Sequence, residues 1–446
     1  AWAGYDPRTE PLEVAVLKEW EEDGVVVKVV RFRVGVFRGE RAMLAAVYGY
    51  PKGAKNLPAV VQIHGGGQSA NAAFVVSNAK NGYATISIAW DGRIKSSQYN
   101  VTNKEKQVFW DGNTDDPDYR VTTDWGAVDG YHHPPRYGTH FSGSQASDYS
   151  VDPVKSPRNN GWFLETIGAR RAITFLEHQP QVDKDRIGVS GMSRGGKLAV
   201  LTAGSDSRIK AAVAACGGIS DLARNKRVLP ANSDDEALKR ISCPIIFMVP
   251  SNDFHSKVQD LPQAVKAIKS PEWRVVSSPN RNHGDVGEYS VGIQLWFNQF
   301  LQGEFNMPQT PKGTLELNAA DHVPSFSVTP DPSHKIRSVM IYYTQDGAGK
   351  PSEKLWRAAK STEQAGTWTA QLPLPSIANP LWVYADVNYA LEQTVESVGY
   401  SGGAFKADSF HLASVVEMLS QDALKAAGVK ATMQLSDVME TVEQGG

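Results

Sequence analysis

The chain has 446 residues, too many for one ordinary core, so two or more domains are expected. With 41% apolar and 21% charged residues it has the composition of a globular protein, not of a disordered or fibrous one. A formal net charge of -2 gives no basis for nucleic acid or an anionic membrane as partner, and no apolar run is long enough to span a bilayer.

No signal-peptide pattern is visible, since Ala1-Trp2-Ala3-Gly4 runs at once into Asp6, Arg8 and Glu10. The first residue is Ala, not Met, so prior removal of a targeting segment, and with it a secreted or periplasmic location, is the expectation. Residues 24–34 and Arg41–Val47 are apolar and β-branched with turn residues between them, and predict strands. Leu57–His64 and Gly82–Trp90 are mostly apolar runs, as buried parallel strands should be. Residues 93–160 then break the pattern. They are polar, rich in Gly, Pro, Asp and aromatics, and too long for a passive connection, which predicts a lid or binding insertion.

From 160 to 178 the spacing of Trp162, Phe163, Ile167, Ala169, Ile173 and Leu176 predicts a helix. A turn (Gln179–Asp185), a short strand (Arg186–Ser190) and a second helix at about 194–204 follow. Strands near 209–216, 243–249 and 273–277, with helices near 257–269 and 288–302, complete the series. This alternation specifies a mostly parallel sheet covered by helices on both faces. After about residue 304 the chain changes character. Thr314–Leu317, Ser338–Tyr343, Thr367–Leu372 and Leu381–Val387 alternate between Gly and Pro turns, which predicts a β-sandwich of immunoglobulin or fibronectin type over 305–400. The tail, 401–446, fits a helix or broken strands around 409–427 and carries no recognisable site. Cys216 and Cys243 fall near opposite ends of neighbouring strands, too far apart to bridge, and are expected as free core thiols.

Gly191-Met192-Ser193-Arg194-Gly195 follows an apolar strand and precedes a helical run. This is the context of the G-x-S-x-G nucleophile elbow, in which flanking glycines permit a turn that lifts the serine out of the sheet. Far upstream, His64-Gly65-Gly66-Gly67 ends another strand. Together with the N–H of the residue after the nucleophile, such a loop forms an oxyanion hole, here Gly66, Gly67 and Arg194. A serine needs a base, and the base an orienting acid, in the chain order Ser, acid, His. Asp253 follows the 243–249 strand and His283 the 273–277 strand, so both loops open on the sheet edge that carries Ser193. His255 is the rival base, but it lies only two residues past the acid. Asp234, Asp235 and Glu236 read as a solvated surface. The fold class is α/β, of the α/β-hydrolase type, over residues 1–304.

These residues resemble a known branch of that superfamily. Lys184–Ser193, Pro244–Asp253 and Asn282-His283 are similar to acetylxylan esterases and dienelactone-hydrolase-like proteins, and Asp91-Gly92-Arg93 resembles that branch's Asp-x-Arg signature. The resemblance covers about 55–302 and implies ester hydrolysis, often of acetyl groups on polysaccharides. One departure stands out: the branch usually has Gln after the nucleophile, whereas Gly191-Met192-Ser193-Arg194-Gly195-Gly196-Lys197 is similar to the glucuronoyl esterase elbow, with Met in place of its Cys. In those enzymes the arginine side chain assists the oxyanion.

In the insertion, Trp110, Trp125, Tyr131 and Tyr137 have apolar faces suited to stacking on sugar rings, and equally suited to a small core of their own. Asp111–Asp118 offers oxygen ligands but lacks EF-hand spacing, and reads as an acidic surface loop. His132, His133 and His140 form no metal-ligand pattern. Without a phosphate loop or dinucleotide fingerprint, no cofactor or metal is expected. The reading is a serine esterase acting on acetyl or other small acyl esters of carbohydrates. Its alternatives are a glucuronoyl ester hydrolase, a prolyl-oligopeptidase-like peptidase, and a non-catalytic carbohydrate-binding protein. The partner is a small-molecule or polysaccharide ester, and the sequence leaves the oligomeric state open.

Overall fold

The computed structural model describes residues 2–433 except 38, 125–143, 147–149, 227, 285, 318–320, 348 and 401. The chain opens with three antiparallel strands, β1 (Ala15–Glu22), β2 (Val25–Phe37) and β3 (Glu40–Pro51). β1 was not foreseen because it is an edge strand with most side chains exposed, so it carries little of the apolar alternation that marks a half-buried strand. Next come β4 (Leu57–Ile63), the short β5 (Ala70–Asn71), helix α1 (Ala72–Lys80), β6 (Ala84–Ile88), the short β7 (Ile94–Lys95) and α2 (Asn103–Trp110).

The long helix α3 (Gly161–Glu177) is capped by Asn160, whose side chain accepts from the Trp162 N–H. It leads into β8 (Val182–Met192), which starts earlier than its apolar residues suggest because Val182 already pairs with Leu57. α4 (Arg194–Ala203), β9 (Ile209–Ala215), α5 (Asp234–Leu238), β10 (Ile245–Met248), α6 (Leu261–Ala267), β11 (Trp273–Val276), α7 (Gly287–Ser290) and α8 (Gly292–Phe297) complete this part. The nine-stranded sheet has the order β1-β2-β3-β6-β4-β8-β9-β10-β11, parallel from β6 onward.

The parallel strands are buried on both faces. Ala59, Val61, Ile187, Val189, Ile245 and Phe247 point into one core with α3 and α4. Their neighbours Val60, Ala211, Val213, Ile246 and Met248 point into the other, with Trp296 and Phe297 of α8.

Beyond a left-handed Gly303 the chain builds two antiparallel sheets. One joins β12 (Lys312–Glu316), β13 (Ser325–Thr329), β16 (Ser361–Gln364) and β17 (Thr367–Gln371). The other joins β14 (Ile336–Thr344), β15 (Arg357–Ala359), β18 (Leu381–Val398), β19 (Ala404–Ala413) and β20 (Glu417–Leu419), and a short helix α9 (Gln421–Ala426) follows. The second sheet thus runs on past residue 400. The pairing of β18 with β19 carries a register shift, with the extra residues between Ala390 and Val395 of β18. Phe326, Ile341, Val383, Val387, Phe410 and Leu412 share one apolar cluster with Val213, Met248 and Trp296, so the core is continuous from the parallel sheet into the C-terminal strands. Buried Arg274 on β11 ties the junction down by donating to the carbonyls of Met307, at 3.2 Å, and Pro308. Among the described residues no helix is long and apolar enough to cross a membrane.

Candidate active site

Ser193 stands alone between the last residue of β8 and the first of α4, at φ 58° and ψ -119°. This conformation is costly for a residue with a Cβ, and it is held by its neighbours. A Cβ on Gly191 would fall 2.0 Å from Gly195 O, and one on Gly195 would fall 2.0 Å from Ile63 O, so only glycine fits at either position. The Ser193 N–H donates to Ala215 O at 2.8 Å and fastens the elbow to the end of β9.

His283, in the loop after β11, brings Nε2 to 2.7 Å from Ser193 Oγ. Its Nδ1 lies 3.0 and 3.1 Å from the two carboxylate oxygens of Asp253, in the loop after β10. An ionised carboxylate only accepts, so Nδ1 carries the hydrogen and Nε2 is left to accept from the serine hydroxyl. Asp253 is fully buried, and its Oδ1 also accepts from the N–H groups of His255 at 2.7 Å and Ser256 at 3.0 Å. His255 faces elsewhere, with Nδ1 donating to Cys216 O at 3.0 Å. Cys216 and Cys243 are both buried and free.

The glycine loop is a tight turn against Ser193. Gln68 closes it twice, through its N–H to Gly65 O at 3.3 Å and through Oε1, which accepts from the Gly65 N–H at 2.7 Å. A Cβ on Gly65 would approach Ser193 Cβ to 3.2 Å, and Gly66 and Gly67 form the tip of the turn. The Asp91-Gly92-Arg93 segment braces it from behind. Arg93 donates to Asp91 Oδ2 at 2.6 Å and to Gly67 O at 2.9 Å, while the Trp90 indole donates to His64 O at 3.0 Å.

The backbone N–H of Arg194 lies at the N-terminus of α4, where helix amides carry partial positive charge. The guanidinium pairs bidentately with buried Glu165 of α3, Nε to Oε2 at 2.9 Å and Nη2 to Oε1, and lies between the rings of Trp90 and Trp162 at 4.7 and 4.2 Å.

Other expectations fared differently. Asp234 is not a solvated surface residue: it is buried and accepts from Lys197 Nζ at 2.8 Å and from the Asp221 N–H at 2.9 Å. Burial opposes the charge on Lys197, but Asp234 and Asp221 together outweigh it and raise its pKa. Trp110 packs within the insertion, its indole donating to Thr123 O at 3.0 Å and its ring lying under Lys106 at 4.8 Å. Trp125, Tyr131, Tyr137, His132, His133 and His140 lie outside the described residues. Within 111–118, Asp118 pairs with Lys104 at 2.5 Å. Among the described residues, the one set of ligand-type side chains whose atoms converge is Cys216, Asp253 and His283.

Three contributors escaped the sequence reading. Gln68 stands next to the glycine run, and Glu165 is a carboxylate inside an otherwise apolar helix face; both were visible as local anomalies. Phe254 was visible only as the neighbour of Asp253. Its ring is 56% exposed and lies 4.5 Å from that of His283.

No curated protein matches the chain. Among solved structures it is similar to an acetyl xylan esterase from Paenibacillus sp. R4 (16% identity over 66% of this chain and 91% of that one, TM-score 0.46). It is also similar to acetyl xylan esterase 1 from Thermoanaerobacterium sp. JW/SL YS485 (17%, 65% and 88%, TM-score 0.42) and to a glucuronoyl esterase from Solibacter usitatus (14%, 66% and 86%, TM-score 0.41). Residues 152–289, which carry Ser193, Asp253 and His283, match the Dienelactone hydrolase family, and the chain has the α/β-hydrolase fold.

Proposed function

We propose that this protein is a serine esterase that hydrolyses acetyl or other small acyl esters of carbohydrates. The observation that carries the reading is the chain of contacts Ser193 Oγ to His283 Nε2 to Asp253, set on a strained elbow beside a glycine turn. Ser193 Oγ attacks the ester carbonyl carbon while His283 Nε2 takes its proton. The C=O pair moves onto oxygen, and the N–H groups at Gly66, Gly67 and Arg194 are the donors assigned to that oxyanion, each worth about 3–4 kcal/mol of barrier. His283 then gives the proton to the departing alcohol, and the tetrahedral centre collapses to the acyl-enzyme. Water repeats the sequence and releases the acid. Asp253 keeps the imidazole in the required tautomer throughout. The residues named for these steps belong to the chain itself, and no cofactor enters.

The Arg194 side chain favours the acetyl-type reading over the glucuronoyl one. Its guanidinium is neutralised by Glu165 and flanked by two indoles, so the contribution to the oxyanion falls to the backbone N–H. The test compares wild type, Ser193→Ala and Asp253→Asn on 4-nitrophenyl acetate, acetylated xylan and a methyl glucuronate ester, with a fluorophosphonate to mark the nucleophile. Label on Ser193, turnover of the acetyl esters and losses of several orders of magnitude in both variants are expected. Full activity in Ser193→Ala, or a preference for the glucuronate ester, would overturn the reading.

A further inference from the structure

Between the triad and the C-terminal sheets lies a cavity of about 140 Å³. Its walls include Gln68, Met192, Cys216, Met248, Gly284 and Tyr400. Four of these are immediate neighbours of the reacting groups. Met192 precedes Ser193, Gly284 follows His283, Gln68 holds the Gly65 N–H, and the Cys216 sulfur lies within 4.8 Å of the His283 and Asp253 ligand atoms. Tyr400 comes from far away in the chain, at the hairpin between β18 and β19.

That hairpin is docked firmly. The Gly399 N–H donates to Gly403 O at 2.9 Å and closes it, and the Tyr400 ring stacks on Phe74 of α1 at 5.8 Å and 16°. The Tyr400 hydroxyl is buried beside Ser190 of β8, and burial pushes its pKa up, so it stays neutral. On the other side of the hairpin, β19 packs Phe405 against Gly287 at the start of α7.

We propose that this cavity is the acyl-binding pocket and that Tyr400, supplied by the C-terminal strands, is the wall that limits the acyl chain to short lengths. The inference rests on the esterase reading and deepens it. Of the two halves of a carbohydrate ester, only the acyl group suits a small, largely apolar space. A volume of about 140 Å³ has room for several waters, and so for an acetyl to butyryl chain. The polar alcohol leaves on the open side, where Phe254 is exposed. The C-terminal sheets are then part of the substrate site and not only an appendage.

The test measures kcat/KM of the full chain on 4-nitrophenyl acetate, butyrate and octanoate, with fluorophosphonate labelling of Ser193 and a thermal melt for every variant. Wild type is expected to fall steeply from butyrate to octanoate. Tyr400→Ala is expected to raise the octanoate-to-acetate ratio by about tenfold or more, the scale on which apolar pockets discriminate chain length. Tyr400→Trp, which adds bulk without opening the core, is expected to lower the butyrate-to-acetate ratio. Ratios unchanged in both variants, or in Tyr400→Trp alone should Tyr400→Ala fail to fold, with Ser193 labelled normally, overturn the pocket assignment while leaving the esterase standing. Absence of both label and turnover in wild type overturns the esterase reading itself, and this inference with it.

Discussion

Asn280, three residues before His283, exchanges two hydrogen bonds with the backbone of Trp356 in the C-terminal part of the chain. Its Nδ2 donates to Trp356 O at 3.0 Å, and its Oδ1 accepts from the Trp356 N–H at 2.8 Å. Asn252, directly before Asp253, donates one such bond, from Nδ2 to Lys354 O at 2.6 Å. The two loops are also joined to each other, the Asn252 N–H donating to Arg281 O at 2.9 Å. The loops of Asp253 and His283 are thus gripped from outside the parallel sheet, at the residues that flank the two side chains.

Asn280→Ala removes both bonds and leaves the Trp356 N–H without its partner. Each neutral hydrogen bond contributes about 1 kcal/mol, so the fold should survive. Placement of His283 should not, and a misplacement on the order of 1 Å costs about 100-fold. The expected outcome is a 10- to 100-fold lower kcat with little change in KM. An unaltered kcat in the folded variant would mean that the His283 loop keeps its place without this clamp.

Arg194→Gln breaks the buried ion pair with Glu165, a change of about 3–5 kcal/mol in stability. The backbone N–H at 194 is retained. The melting temperature should therefore drop strongly, while kcat per folded molecule changes little. A loss near 100-fold in kcat at an unchanged melting temperature would point instead to a guanidinium acting on the substrate.

A chain ending at Gly303 loses the strands that share the cluster with Trp296 and Met248. Uncovering several large side chains costs roughly 1.5–3 kcal/mol each, more than a domain's usual margin. Aggregation or non-cooperative unfolding of that truncated chain is expected in calorimetry. A soluble, cooperatively folded product with wild-type ester turnover would show that the parallel sheet stands alone.

The Cys243 thiol is pushed by burial to about 12, so at pH 8 it is neutral and unreactive. Iodoacetamide at that pH should leave it unmodified in native protein, as mass spectrometry would record, and label it after unfolding. The linkage sign follows from a folded-state pKa above the unfolded one. The thiol's stabilising contribution is whole below the ordinary value of 9 and is lost as pH rises towards about 12.

Much of this architecture was legible in the sequence because it is written locally. The apolar runs at 57–63 and 243–249 predict buried strands, since a strand's apolar run and the turn residues that close it lie within a few positions. The elbow at Ser193 and the glycine turn at 64–67 are legible for the same reason: the backbone geometry they need depends on residues one or two positions away. Asp253 and His283 could be singled out because strand ends in a parallel sheet share one edge. The tertiary structure alone decided what touches these residues from afar. Whether the Arg194 guanidinium reaches the substrate or Glu165, 29 positions earlier, is fixed by how α3 packs on α4. The grip of Trp356 on Asn280, 76 positions away, and the entry of Tyr400 into the cavity depend on docking two β-sheets against the second face of the parallel one. Side-chain periodicity states which face of an element is buried. It carries no information on which distant element covers that face, because that choice is made by packing shape and by the burial of polar groups that must find partners.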